Sequence, residues 1–121
     1  MTPKEAYNFV ERLGLKRHER SELIIMKDPE YAYYYARFII KGRFIEAEPA
    51  IIKSPMWAYE YATNIIDGRW IEGEPIIIND PRYVCLYAQK VIKGRWPEAE
   101  PYIIKDLYWW DWYKRHFNID D

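Results

Sequence analysis

The sequence predicts an all-α, solenoid-like stack of antiparallel helical hairpins. Three observations carry this: a 26-residue period, a helix-start signal at the head of each period, and a glycine where the first helix of each period should stop. Gly42-Arg43, Gly68-Arg69 and Gly94-Arg95 stand 26 residues apart, as do Glu48-Pro49, Glu74-Pro75 and Glu100-Pro101. Pro3, Pro29, Pro55 and Pro81 follow the same spacing. A fixed period of this length is the mark of a repeat architecture, in which each unit buries its apolar face only against its neighbours.

Counted from each proline as position 1, the units are 3–28, 29–54, 55–80, 81–106 and a half-unit, 107–121. Each begins with an N-cap residue whose side chain can accept from orphan backbone donors: Thr2, Asp28, Ser54, Asp80 and Asp106. In four of the five, proline follows at the first helical position, where its missing N–H costs nothing. The long helix should run to about position 13 and end at Gly42, Gly68 and Gly94, taken as the left-handed C-cap residues. A shorter helix of about eight residues follows. Its glutamates sit at the positive end of the helix dipole, and Pro49, Pro75 and Pro101 are confined to its first turn. The chain then reads as about nine helices in a single repeat domain, 1–121.

Positions 4, 8 and 11 of the long helix (Ala32, Ala36, Ile39; Ala58, Ala62, Ile65) lie on one face at spacing i, i+4, i+7. Aromatics at positions 3 and 7 flank them. The apolar arc is wider than the roughly 100° a surface helix needs, which suits a helix packed between two neighbours. At the ends the pattern turns polar, with Glu5 in the first unit and Asp111, Lys114 and Asn118 in the last. These are expected to be an N-terminal cap unit and a C-terminal capping helix, making the chain a complete domain. An elongated stack should expose more surface than the ~7,000 Å² of a compact protein of this mass.

Composition narrows the function classes. Of the 121 residues 22 are aromatic (12 Tyr, 6 Trp, 4 Phe), which is incompatible with disorder. Fifteen of them fall at positions 3, 5, 7 and 16 of the repeat, so the excess is chiefly packing multiplied by repetition. The other seven are Tyr34, Phe38, Tyr102, Tyr108, Trp110, Trp112 and Phe117. No apolar run is long enough to span a bilayer, and the N-terminus lacks a signal peptide's apolar stretch. With a single cysteine the expected setting is a reducing one, the cytoplasm. Net charge is −1, and the units carry +1, +1, −4, +2 and −1 in order, so no continuous basic stripe exists for nucleic acid.

Chemistry is looked for and not found. Cys85 has no matched base, and His18 and His116 lie in different units. No Cys/His cluster suggests a metal, and each Gly-Arg step is a helix end rather than a phosphate loop. The chain is therefore expected to be no enzyme and to need no cofactor. The recurring Arg17, Arg43, Arg69 and Arg95 match Glu22, Glu48, Glu74 and Glu100 one for one. A structural ladder of ion pairs explains this stoichiometry better than a row of phosphate grips, which would need no glutamates.

The outward face of the long helices should be polar at positions 2, 6, 9, 10 and 13. The exceptions there are Tyr34, Phe38, Met56, Leu86, Tyr108 and Trp112, which form the candidate contact patch for a protein partner or a second copy. The runner-up is a small-molecule or nucleotide-sequestering protein that uses Tyr, Trp and Arg between units.

The units Lys93-Gly-Arg-Trp-Pro-Glu-Ala-Glu-Pro101 and Asp28-Pro-Glu-Tyr-Ala-Tyr-Tyr-Tyr-Ala-Arg37 resemble tandem helical repeats of about this length found in bacteriophage and large-virus genomes. The resemblance covers 29–106 well and 3–28 and 107–121 loosely. It implies an all-α stack with no catalytic residues to carry over. It also implies a viral protein that engages or inhibits a host factor in the host cytoplasm.

Overall fold

A computed structural model describes residues 1–120, and all regular structure in them is helical. The first unit pairs α1 (Pro3–Leu13) with α2 (Glu19–Ile25). In the three central units the long helix starts as α-helix and finishes as a π-turn. These are α3 (Pro29–Tyr34, then Tyr35–Ile40), α5 (Pro55–Tyr61, then Ala62–Ile66) and α7 (Pro81–Tyr87, then Ala88–Ile92). Their short helices open with a 3-10 turn and continue as α-helix. These are α4 (Ile45–Ala47, then Glu48–Ile51), α6 (Ile71–Gly73, then Glu74–Ile77) and α8 (Pro97–Ala99, then Glu100–Ile103). The last long helix is α9 (Leu107–Phe117). Accessible surface is 7375 Å², a small excess over the compact value, because the stack is only five long helices wide.

All five N-caps accept a backbone N–H, from Glu5, Tyr31, Trp57, Arg82 and Trp109 in order. At the other end the structure corrects the sequence reading. The left-handed residue is not Gly42, Gly68 or Gly94 but the one before: Lys41 (φ 61°), Asp67 (φ 59°) and Lys93 (φ 63°). In α1 and α9, which stay α-helical, the left-handed residue is at position 12, Gly14 and Asn118. The π-turn adds one residue and moves the cap to position 13. One carbonyl then takes two N–H groups: Ala36 accepts from Lys41 and Gly42, Ala62 from Asp67 and Gly68, Ala88 from Lys93 and Gly94. Gly68 and Gly94 have ordinary φ, and a Cβ there would meet nothing within 4 Å, so neither handedness nor crowding explains them.

The core is one continuous layer between long and short helices. Its largest fully buried side chains are Trp70 and Trp96 with Phe44 at position 16, Tyr35, Tyr61, Tyr87 and Tyr113 at position 7, and Ile25, Ile51, Ile77 and Ile103 at position 23. Small residues at position 19 (Ser21, Ala47, Gly73, Ala99) are buried in the same layer. Within a unit, the ring at position 7 packs on the ring at position 16: Tyr61 on Trp70 at 4.8 Å, Tyr87 on Trp96 at 4.9 Å.

Between units the same tyrosines do something more specific. Each arginine at position 15 grips the glutamate at position 20 with two parallel bonds of 2.7–2.9 Å, in all four pairs. The next unit's tyrosine donates its hydroxyl to the same carboxylate at 2.6–2.7 Å: Tyr35 to Glu22, Tyr61 to Glu48, Tyr87 to Glu74 and Tyr113 to Glu100. That hydroxyl in turn accepts the loop N–H of His18, Phe44, Trp70 or Trp96 at 2.7–2.9 Å. A loop donor that burial would otherwise strand is thereby satisfied. Position 7 of the first unit is Phe9, a ring without a hydroxyl.

This arrangement shifts acid–base behaviour. The Arg95 bonds hold the Glu100 carboxyl below its ordinary value, and at Glu22 the bonds from Arg17 and Tyr35 together outweigh burial. Burial, followed by the Glu22 carboxylate, pushes Tyr35 up to about 12; Tyr61, Tyr87 and Tyr113 are raised too, with burial the largest cause.

Three outcomes are expected. Tyr87→Phe strands the Trp70 N–H and takes from Glu74 Oε2 one of its two donors, leaving Arg69, so chemical denaturation should show a loss of about 1–3 kcal/mol. Arg69→Ala should cost less, because its guanidinium is half exposed. A phenol whose pKa is raised on folding contributes stability that is complete below pH ~10 and lost as pH climbs through its folded value. Melting temperature should therefore hold steady to about pH 10 and then fall, with the tyrosinate absorbance of Tyr35, Tyr61, Tyr87 and Tyr113 appearing only as the chain unfolds.

Candidate functional site

The six residues marked on the long-helix face do not form one patch. Tyr34 is half-buried in a ring cluster with Tyr31 and Trp57, both at 5.6 Å, and its hydroxyl donates to Glu30 at 3.3 Å. Phe38 is exposed, 6.5 Å from Tyr34, with the Arg37 guanidinium over its ring at 5.2 Å. Beside them the Tyr33 hydroxyl accepts from both Arg37 and Asn64, which ties α3 to α5. At the other end Tyr108 is largely exposed and meets Trp109 edge-on at 4.9 Å. Trp112 lies 6.2 Å from Trp109 and stacks flat on His116 at 4.8 Å. Leu86 packs against the core, and Met56 is exposed at the start of α5. Among the described residues no ring pair joins the two clusters.

The residues weighed for chemistry are all engaged. Cys85 is fully buried, and its thiol donates to the Trp109 carbonyl at 3.5 Å. Burial first, and the charge of Asp106 second, push that thiol up to about 12, so it is not the thiolate a nucleophile requires. The His18 ring caps α2 and bonds the Ser21 hydroxyl at 2.7 Å. Among the described residues no group of three or more His, Cys, Asp or Glu is placed to hold a metal ion, and no helix is long and apolar enough to cross a membrane.

The opposite side of the stack carries a feature that the long-helix reading missed. The short helices are apolar on two faces. Positions 16, 19 and 23 go into the core; positions 17, 21 and 24, also at i, i+4, i+7, face outward. The outward set is Ile45, Pro49 and Ile52 on α4, Ile71, Pro75 and Ile78 on α6, and Pro97, Pro101 and Ile104 on α8. Ile71 is 64% exposed and Ile45 56%. The long helices make the close inter-unit contacts, and grooves open between successive short helices.

Three grooves repeat at the period of the chain. The first lies between α4 and α6, with Ile45, Pro49, Ile52 and Trp70 against Glu48 and Glu72. The second, between α6 and α8, repeats it with Ile71, Pro75, Ile78 and Trp96 against Glu74 and Glu98, and adds Tyr102. The third follows α8, where Pro97, Pro101 and Ile104 face Trp110 and Ile119 beside Arg95 and Glu100. The outward stripe was present in the sequence as a second recurring apolar set, but helix-start prolines and glutamates among it read as purely structural.

The floor of the first groove is unusual. Trp70 is almost wholly buried, yet its indole N–H has no hydrogen-bond partner, a cost the fold accepts beneath this surface. Its ring lies over Gly73: a Cβ there would come within 2.5 Å of the indole. The units on either side carry alanine at this position, Ala47 beside Phe44 and Ala99 beside Trp96. Compared with known protein families, curated proteins and solved structures, the chain matches none of the three.

Gly73→Ala should force the Trp70 ring aside and cost about 1–3 kcal/mol. Adding Trp70→Phe recreates the Phe44–Ala47 pairing of the unit before, so the cost of the alanine should shrink in the double variant. A thermodynamic cycle over the four proteins measures this coupling.

Proposed function

We propose that this protein is a non-catalytic repeat module that binds a protein partner along the groove row of its short helices. The observation that carries this reading is the repetition itself: the same isoleucine and proline stripe recurs in the three central units, exposed at positions 17 and 21 and half-buried at Ile52 and Ile78, where it borders the core. Exposed apolar surface organised at a fixed period is what a partner spanning several units would use, and extended repeat surfaces serve this role generally. The viral-type repeats that the units resemble point to a host factor as partner and the host cytoplasm as the setting.

The small-molecule alternative draws less support. The arginines and inter-unit tyrosines it would use are already bonded to Glu22, Glu48, Glu74 and Glu100 and to loop N–H groups. The grooves are open troughs, whereas small-ligand sites usually enclose most of their ligand.

The test compares capture from host lysate by the wild-type chain, by Ile45→Arg with Ile71→Arg, and by Tyr34→Ala with Trp112→Ala. A discrete protein held by the wild type and by the long-helix pair, but lost from the groove pair, is the expected result. Loss only from the Tyr34 and Trp112 pair moves the interface to the long helices. A nucleotide that raises the melting temperature, with no protein captured, favours the alternative.

A further inference from the structure

We infer that the groove row takes an extended, polyproline-type segment of a partner chain, with an apolar side chain at every third residue and lysine or arginine between. This rests on the protein-binding reading above and gives it a chemistry.

The apolar positions follow from the grooves, which offer Ile45, Pro49 and Ile52 in the first and Ile71, Pro75 and Ile78 in the second. The positive charges follow from the rims. Glu48 and Glu74 are each neutralised by an arginine and bonded by a tyrosine. Glu72 and Glu98 are exposed and stand in no ion pair among the described residues. One exposed carboxylate therefore borders each of the first two grooves, and a cation approaching it breaks no ion pair or hydrogen bond, though Glu98 already lies in the field of Arg69.

The backbone conformation follows from what the surface lacks. No strand edge exists among the described residues, so an extended segment bound here finds no ladder of backbone partners and must keep its own peptide groups hydrated. The polyproline conformation does this, and its three residues per turn at ~3.1 Å each return the same face every ~9 Å. That is close to the ~10 Å width of a helix, and one short helix stands between the first groove and the second.

The chain itself supplies a precedent. Past the left-handed cap at Asn118, the backbone leaves α9 without regular structure, and half-buried Ile119 lines the third groove with Pro97, Pro101 and Ile104. An apolar side chain on a non-helical segment is thus already seated against this surface. This tail is acidic, ending Asp120-Asp121, and its groove is the one bordered by Arg95 rather than by an open glutamate. Glu72 and Glu98 repel such an acidic segment, so the same residues of a second copy are poor occupants of the first two grooves.

The test is fluorescence anisotropy with the full chain and a labelled peptide of four Ile-Pro-Lys triplets. Two controls carry Glu in place of Lys, or the same residues in scrambled order. The triplet peptide should bind at least tenfold more tightly than either control, and more weakly as salt rises. Glu72→Lys with Glu98→Lys should weaken it at least tenfold, Ile71→Arg should abolish it, and Tyr34→Ala should leave it unchanged. Both glutamates are exposed, so the charge variant decides the matter even if Ile71→Arg folds poorly. Absence of binding, equal affinity for the acidic or scrambled peptide, or indifference to the charge variant overturns the assignment. If the groove pair nevertheless loses a captured protein in the lysate comparison, the binding reading stands and only the chemistry of the occupant is wrong.

Discussion

One hydroxyl group holds each joint of this molecule. The tyrosine at position 7 donates to a carboxylate of the preceding unit and accepts a loop N–H from the same unit. One side chain therefore fixes the position of a neighbouring ladder pair and of a neighbouring loop together. The ring beneath that hydroxyl is at the same time the main filler of its own unit, stacked on the residue at position 16. Packing inside a unit and registry between units are thus not separate terms. A unit cannot shift along the stack without breaking two buried polar contacts, and each of those is costly to leave unmade.

This explains how much of the fold could be read from residues alone. The N-caps, the period and the pairing of Arg43 with Glu48 rest on local rules, so they were legible. Tyr61 was legible as an apolar aromatic beside the small-residue face, but not as a hydrogen-bonding clamp. Its partners, Glu48 and the Phe44 N–H, lie 13 and 17 residues back, and no helical spacing connects them. The misplaced cap at Gly42 has the same origin. A glycine near a helix end reads as the left-handed residue, and nothing in the letters reveals a π-turn that pushes this duty onto Lys41. Where the helix was plain α, as in α1, glycine does fill the role.

The surface divided along similar lines. The exceptions on the long helices stood out because they broke a polar pattern, yet Tyr34 and Trp112 largely pack on other rings of the same chain. The groove residues broke no pattern, because their apolar character is the pattern. A short helix with two apolar faces looks from sequence like a helix that is simply well buried. Only the arrangement of the stack shows that one face goes inward and the other is left to water. The outward stripe also shares its helix with the ladder glutamates, so the elements that lock the units together are the ones that present the grooves. A partner lying across several grooves would bear on the same joints that set their spacing.

The π-turns carry a different lesson, about what in this chain can change. In the first unit, two residues separate the left-handed Gly14 from Arg17; in the second, only one separates Lys41 from Arg43. The long helix has gained a residue and the loop has given one up, while the distance from Arg17 to Arg43 stays at the full period. Helix ends in this protein are therefore free to shift by one residue from unit to unit. Positions 15 and 20, and the tyrosine that follows 13 residues later, are not. The period is the property of the joint, and the helices are the slack between joints.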